Sequence, residues 1–276
     1  MIHHYTSAQT LGLILASRKL RFNRTDRVDD VQEAERHPLI RFGRYFYVTC
    51  WTCEDQESIP LWQMYSGGMT GVRISLPNYP FERKLLAVPP GWKLEREGCL
   101  YAPLTIPEMF GDDYLILPMY MNAETFGGPV EYCDDLEERY RDAISLCIRD
   151  RGKAELRMRA PFDLVRLKSR EWAFQREFRF SLFALPSIPV PAEGPGSPEY
   201  YEELPSHMLD AFFRGIGPAA EFLDVDLSRE AFDNMRITLG PLSSTESEAT
   251  VRALIARYAP NARIQHSQLT GKIRAP

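Results

Sequence analysis

The sequence of 276 residues contains no apolar run of the roughly 18–20 residues that a membrane-spanning helix requires. Its first residues, MIHHYTS, lack the basic start and the apolar core of a secretory signal peptide. Five cysteines are an odd number for a chain of this size, which does not suit a disulfide framework and fits reduced thiols. These absences predict a cytoplasmic protein with no membrane partner. Internal repeats and low-complexity tracts are also absent.

The chain is only mildly acidic, but its charge is unevenly distributed. The net charge is −5 and the pI is about 5.7, so the overall basic character of many nucleic-acid-binding proteins is missing. Residues 149–179 contain ten Lys or Arg against five Asp or Glu, whereas residues 184–250 contain three against twelve. The basic block makes an anionic small molecule a plausible partner and leaves nucleic acid open. Two solvated surfaces would explain the same charges.

The first third of the chain predicts short strands that alternate with short helices. Residues 1–5, 20–22, 45–52 and 70–76 have the alternation or the β-branched and aromatic content of strands. Ser7 and Ser58 are placed to cap helices, and Pro60 suits the first turn of the second helix. Residues 23–37 are polar and predict a loop or a short helix.

The rest of the chain predicts a less regular order of elements. Residues 78–128 read as a loop-rich excursion and residues 186–205 as a Pro-rich loop. An apolar stripe predicts a helix over 130–150, and a shorter helical piece is expected at 207–215. Strands are expected at 235–239 and 263–269, with a helix between them that begins at a capping box of Thr245 and Glu248. We therefore predict a single α+β domain over 1–276, with a mixed, mostly antiparallel split sheet and flanking helices.

The segment 167–182, LKSREWAFQREFRFSL, stands out because it alternates from Trp172 onward. Its apolar residues predict a strand with one buried face. Gln175, Glu177 and Arg179 would then form a row on the other face. Such a row suits a polar ligand, although a solvated face with a Glu–Arg pair has the same pattern.

Three further motifs carry little weight. Cys50 and Cys53 form a CxxC, but residues three apart on a strand face opposite sides, so we expect buried structural cysteines and no metal. Asp29, Asp30 and Glu33 do not have the spacing of a tight metal-binding loop. Ser243, Ser244 and Thr245 begin a predicted helix, where ordinary capping explains them as well as an anion site does.

His4, Tyr65 and Glu177 form the most informative set, because they supply a hydrogen-bonding ring, an aromatic plate and a carboxylate. They lie within a longer series of short motifs: HYTS, LRFNR, VDD, CWT, LWxxY, GVRI, LKxxxW, QxE and ITLGP. In this order the series resembles the bacterial family catalogued as domain of unknown function 2971. The resemblance covers most of the chain, and the family name implies no activity.

The order His4, Tyr65, Glu177 also resembles, more distantly, the ADP-ribosyltransferase fold. That resemblance implies NAD as substrate, with His4 on the nicotinamide-side ribose, Tyr65 stacked on the nicotinamide ring and Glu177 at the ribose 2′-hydroxyl. Gln175 would orient the acceptor, and Arg24, Lys168 or Arg179 would meet the pyrophosphate. The sequence departs from this pattern after His4, where Tyr5-Thr6-Ser7 follows, and in the long stretch between Tyr65 and Glu177.

The resemblance implies an NAD-dependent ADP-ribosyltransferase or an NAD glycohydrolase that cleaves the nicotinamide–ribose bond. One alternative is a non-catalytic binding or sensor module of a bacterial defence or toxin system, in which Glu177 pairs with Arg179 or Lys168. Another is a metal-dependent nuclease that uses Asp29, Asp30 and Glu177. The sequence leaves open the acceptor, which could be protein or nucleic acid, and the oligomeric state.

Overall fold

A computed structural model describes residues 1–33, 40–87, 101–149, 153–159, 161–189, 194 and 197–274. Sixteen strands lie in this part of the chain: β1 (Ile2–Thr6), β2 (Lys19–Arg24), β3 (Phe46–Thr52), β4 (Val72–Leu76), β5 (Lys84–Leu85), β6 (Tyr101–Ala102), β7 (Tyr114–Ile116), β8 (Gly127–Pro129), β9 (Glu131–Cys133), β10 (Ile144–Arg149), β11 (Lys153–Met158), β12 (Leu167–Ser169), β13 (Glu177–Pro186), β14 (Phe222–Asp226), β15 (Arg236–Leu239) and β16 (Arg263–His266).

Seven α-helices accompany the strands: α1 (Ala8–Ser17), α2 (Ile59–Tyr65), α3 (Ala123–Phe126), α4 (Leu136–Ala143), α5 (Pro198–Arg214), α6 (Arg229–Asp233) and α7 (Thr245–Tyr258). The predicted caps of the first two are present, since Ser7 accepts from the Thr10 amide and Ser58 from the Leu61 amide. Helix α7 begins one residue earlier than the capping box predicts, because Ser244 is its cap. Among the described residues, no helix is both long and apolar enough to cross a membrane.

The protein is mixed α and β, with a mostly antiparallel main sheet of ten strands. Its path runs β14-β2-β3-β1-β4-β15-β16, and β13 lies on the other edge of β3, where it also contacts β7 and β8. Among the described strands of this sheet, only β15 and β16 pair in parallel. The sheet therefore agrees with the predicted class, and its central pair is β3 with β13.

The sheet forks beside β3. One edge of β3 pairs with β13 over seven residues, from Phe46 to Thr52. The other edge pairs with β2 at Tyr47 and Val48 and with β1 only at Thr52. Within the part of the chain that the structure describes, residues 49–51 therefore have no strand partner on that edge, and β1 and β2 pair on either side of them. This fork opens a space at the centre of the sheet.

Apolar side chains cover both faces of the central strands. On one face, Tyr47, Trp51, Phe180 and Leu182 belong to the larger core, which includes residues of α1 and α7. On the opposite face, Phe46, Val48 and Phe183 pack in a second core with residues of α4 and α5. Because side chains alternate along a strand, Glu177 and Arg179 lie on the same face as Phe183. The polar row of β13 is therefore buried at the end of the second core.

Two predicted elements around the site are wrong in extent. The strand predicted from Trp172 begins at Glu177, because Arg170–Gln175 is a 3₁₀-helix and Arg176 has a φ of 42°, in the left-handed region. The helix predicted over 130–150 is confined to α4. It is preceded by β9 and followed by β10, which forms an antiparallel hairpin with β11. Pairing with β11 overrides the helical periodicity of that segment, whose residue 150 lies outside the described residues.

The Pro-rich loop predicted over 186–205 ends earlier than expected. Ser197 caps α5, Pro198 begins it and Pro205 lies inside it, so the helical piece predicted at 207–215 is the second half of a longer helix. Residues 190–193 and 195–196 lie outside the described residues. The described parts of the predicted 78–128 excursion contain short strands and 3₁₀ turns. Its residues 88–100 lie outside the described residues. The last strand ends at His266, three residues before its predicted end.

Candidate functional site

A cavity occupies the fork beside β3. Its volume is about 220 Å³, somewhat below the roughly 300–1,000 Å³ of typical ligand clefts. Its walls come from β1, β2, β3, α2, the turn after β2, and the segment around β13. The lining includes six of the seven residues that the resemblance assigns to NAD, namely His4, Tyr65, Lys168, Gln175, Glu177 and Arg179. Five separate elements, β1, α2, β12, the 3₁₀-helix Arg170–Gln175 and β13, thus bring these side chains to one place.

Glu177 is the centre of a buried ion cluster. Arg179 donates to both of its carboxylate oxygens, from Nε to Oε1 at 2.6 Å and from Nη2 to Oε2 at 3.0 Å. Lys168 Nζ lies 3.3 Å from Oε2. Arg179 also binds both oxygens of Glu33, and Lys168 Nζ lies 3.6 Å from Glu33 Oε2. Two carboxylates and two cations therefore balance in a buried group, here called the ion cluster (Glu33, Lys168, Glu177 and Arg179).

The ion cluster keeps Glu177 ionised. Burial opposes ionisation, but the positive charges of Arg179 and Lys168 outweigh it and lower the pKa of Glu177 to about 2. The Cys50 thiol, opposite Arg179 in the strand pairing, donates to Glu177. Burial and then the charge of Glu177 raise the pKa of that thiol well above its ordinary value. Cys50 is therefore a neutral hydrogen-bond donor to a permanently charged carboxylate.

Gln175 links the ion cluster to Tyr65. Lys168 Nζ donates to Gln175 Oε1 at 2.8 Å, and Gln175 Nε2 donates to the Tyr65 hydroxyl at 2.6 Å. The Tyr65 hydroxyl in turn bonds Asp29, and burial together with this bond raises its pKa. These hydrogen bonds fix the orientation of the Gln175 amide and the position of the Tyr65 hydroxyl. The half-buried Tyr65 ring forms part of the cavity wall.

His4 substitutes for a missing strand partner. Its Nδ1 lies 2.9 Å from the carbonyl oxygen of Cys50, in the unpaired stretch of β3. A carbonyl can only accept, so Nδ1 carries the proton and Nε2 has a free lone pair. Burial lowers the pKa of His4, which keeps the ring neutral. The neighbouring ring of Trp51, at a centroid distance of 5.2 Å, holds its position.

Arg24 lies outside the cavity, so its predicted place at a pyrophosphate is not supported. Its Nε donates to Asp26 at 2.7 Å and its Nη1 to the Pro218 carbonyl at 3.1 Å. Arg27, three residues later, lines the cavity instead. Arg24 caps the 3₁₀ turn Thr25–Arg27 and Arg27 is the last residue of that turn, so the two guanidiniums start from opposite ends of it.

The acidic residues of the nuclease alternative do not assemble as that alternative requires. Glu33 and Glu177 are bound by Arg179 and Lys168, Asp29 bonds Tyr65, and Asp30 accepts from the Gln32 amide at 3.0 Å. Within the described ranges, no three His, Cys, Asp or Glu side chains form a metal-ligand group. The other two motifs also have local explanations. Cys53 is exposed, contrary to expectation, and Ser244 caps α7.

Glu33, Cys50 and Asp29 belong to the site in ways that sequence reasoning missed. Glu33 and Asp29 come from a polar segment without periodicity, and only the tertiary fold brings Glu33 to Arg179 on β13 and Asp29 to Tyr65 on α2. The alternation of β3 could have placed Cys50 on the same face as Thr52. It could not have shown which partner strand faces that residue.

Comparison with known proteins supplies no neighbour: no family model, no curated protein and no solved structure matches the chain. The two resemblances drawn from the sequence therefore stay predictions, and function is argued from the cavity.

Proposed function

We propose that this protein binds NAD in the cavity beside β3 and cleaves the nicotinamide–ribose bond, as an ADP-ribosyltransferase-like enzyme or an NAD glycohydrolase. The observation that carries the proposal is the convergence of His4, Tyr65, Gln175 and Glu177 on one cavity. These residues are up to 173 positions apart in the sequence, from His4 to Glu177. The proposal includes membership of the domain-2971 family, an ADP-ribosyltransferase-like fold and a cytoplasmic location, where NAD is available.

Glu177 supplies the electrostatic part of the chemistry. Loss of nicotinamide builds positive charge on the ribose, and a preorganised carboxylate stabilises that charge where water is excluded. With a pKa of about 2, Glu177 is charged at any physiological pH. The bonds from Arg179 and Lys168 fix its position before substrate arrives. Removing such a group typically lowers a rate on the order of 10²–10³-fold.

Tyr65 and His4 would hold the substrate. The Tyr65 ring presents an aromatic surface for the nicotinamide ring, and its hydroxyl is already engaged by Gln175 and Asp29. The free Nε2 of His4 can accept a hydrogen bond from a ribose hydroxyl. Gln175, fixed by Lys168, would orient the acceptor, for which water, a protein or a nucleic acid are all open.

The test is nicotinamide release from NAD by the wild type, Glu177→Gln and Glu33→Gln. Both variants remove one carboxylate of the ion cluster, but only Glu177 lines the cavity. We expect release to fall at least 100-fold in Glu177→Gln, on the order of a lost charge-stabilising group. In Glu33→Gln we expect a loss at least about tenfold smaller. If the two variants are equally well folded and lose the same rate of nicotinamide release, Glu177 has no catalytic role of its own.

The bonding of Glu177 favours a second candidate function, a non-catalytic nucleotide-binding or sensor module. Both of its oxygens already accept hydrogen bonds from Arg179, and one lies close to Lys168. Two neighbouring cations weaken the field that the carboxylate exerts on a ligand. For this candidate, calorimetry would detect NAD binding while no nicotinamide is released, with or without cell extract.

A further inference from the structure

The positive charge that lines the cavity falls into two classes. Lys168 and Arg179 are 4% and 1% exposed, and the carboxylates of Glu33 and Glu177 neutralise them inside the ion cluster. Moving either cation to a ligand would leave a buried carboxylate uncompensated, which is strongly unfavourable. The pyrophosphate role expected for them therefore conflicts with their bonding.

Arg27 is the third cation among the described residues that line the cavity. Its side chain is 50% exposed, so it lies at the mouth, next to the exposed Asn23. Its ion-pair partner is Glu221, which is 55% exposed and belongs to the segment before β14. Exposed pairs of this kind contribute about 0–1 kcal/mol, so Arg27 can exchange Glu221 for another anion at little cost.

The interior of the cavity has a different character from its mouth. Rings of His4, Tyr5, Trp51 and Tyr65 line it, and its buried charges cancel. A flat aromatic group without a net negative charge suits this interior. An anionic group attached to it would extend to the mouth, where a guanidinium can bind two phosphate oxygens at once.

We propose that Arg27 is the anion-binding residue of the cavity, which releases Glu221 to bind the diphosphate of a dinucleotide-like ligand whose aromatic end lies inside. The inference rests on the proposed function for the identity of that ligand, and Glu221 acts as an internal competitor for the same guanidinium. The two residues should therefore affect ligand affinity in opposite directions.

The experiment is calorimetric titration with ADP-ribose and with NAD at low and at physiological salt. In Arg27→Gln we expect both ligands to bind at least about tenfold more weakly, the loss of one charge-assisted contact. In Glu221→Gln we expect binding up to about fivefold tighter at low salt, because the competitor is gone. Arg21→Gln is the matched control. Arg21, on the neighbouring strand β2, also pairs with a carboxylate, that of Asp224, but it does not line the cavity.

The outcomes separate this inference from the proposed reaction. If Arg27→Gln binds ADP-ribose as tightly as the wild type, or loses no more affinity than Arg21→Gln does, the inference is overturned and the proposed reaction is unaffected. A wild type that binds NAD through Arg27 but releases no nicotinamide overturns the reaction and supports the inference. A wild type that binds neither ligand at millimolar concentration overturns the inference. Arg27 is exposed, so unchanged melting temperatures are expected and verify folding.

Discussion

The ion cluster predicts a large stability loss from a change that removes no apolar contact. Glu33→Gln keeps the side-chain volume but changes the buried charge from two positive and two negative groups to two positive and one negative. The Glu33 side chain is 0% exposed, so water cannot replace the lost partner of Arg179. Removing one member of a buried ion pair costs about 3–5 kcal/mol. Because Arg179 retains Glu177, we expect the lower end, about 3 kcal/mol.

Equilibrium unfolding in urea and thermal melting measure this loss. For a chain of this size, about 3 kcal/mol corresponds to a fall in melting temperature of roughly 6–12 °C. Glu131→Gln is the control. It breaks the pair between Glu131 and Arg139, which are 56% and 38% exposed, and should cost less than about 1 kcal/mol.

A double variant tests the charge argument itself. Adding Lys168→Met to Glu33→Gln leaves one cation and one anion, Arg179 and Glu177, in the buried group. The double variant should therefore be at least about 1 kcal/mol more stable than the sum of the two single losses predicts. If Glu33→Gln costs no more than Glu131→Gln, or if the two single losses simply add, the buried charge balance is not what stabilises this region.

Three further predictions follow from the same contacts. Glu177 has an ordinary pKa of 4.5 and a folded pKa of about 2, so its stabilising contribution is present above pH 4.5 and is lost as the pH falls towards 2. The stability difference between wild type and Glu177→Gln should thus shrink by about 3 kcal/mol from pH 6 to pH 2 in urea titrations, and a constant difference would refute this linkage. Tyr65→Phe keeps the ring and loses only the bonds of its hydroxyl to Gln175 and Asp29, so NAD affinity should stay within about threefold, whereas Tyr65→Ala should lose at least tenfold. Equal losses would show that the hydroxyl, not the ring, binds. The exposed Cys53 thiol should react with a thiol reagent in the native protein and Cys50 only after unfolding, and a Cys53→Ser variant that loses no fast-reacting thiol would contradict this.

Local signals in the sequence were sufficient for the elements that carry the site. Ser7 and Ser58 mark the starts of α1 and α2, and the alternation of residues 45–52 marks β3, because caps and strand periodicity depend on neighbouring residues alone. The row containing Glu177 and Arg179 was also visible as a pattern. Its burial was not visible, because burial depends on Glu33 from a distant turn.

The errors of prediction share one physical cause. Residues 144–149 fit a helical stripe, but their backbone pairs with β11. Trp172 fits the alternation of a strand, but that strand begins only at Glu177, after Arg176 in the left-handed region. In each segment a tertiary contact decides between two acceptable local patterns. At the site, the tertiary contact of Arg24 with the Pro218 carbonyl holds that guanidinium away from the cavity, which Arg27 lines instead.

The most direct test of the central claim is nicotinamide release from NAD, followed in the same samples as NAD binding. The account predicts that the wild type binds NAD and releases nicotinamide, and that Glu177→Gln still binds NAD but loses at least about 100-fold in rate. Binding without release by the wild type would contradict the cleavage proposal and favour a nucleotide-sensing module. Release that persists in a folded Glu177→Gln would show that this carboxylate is structural and that the chemistry lies elsewhere.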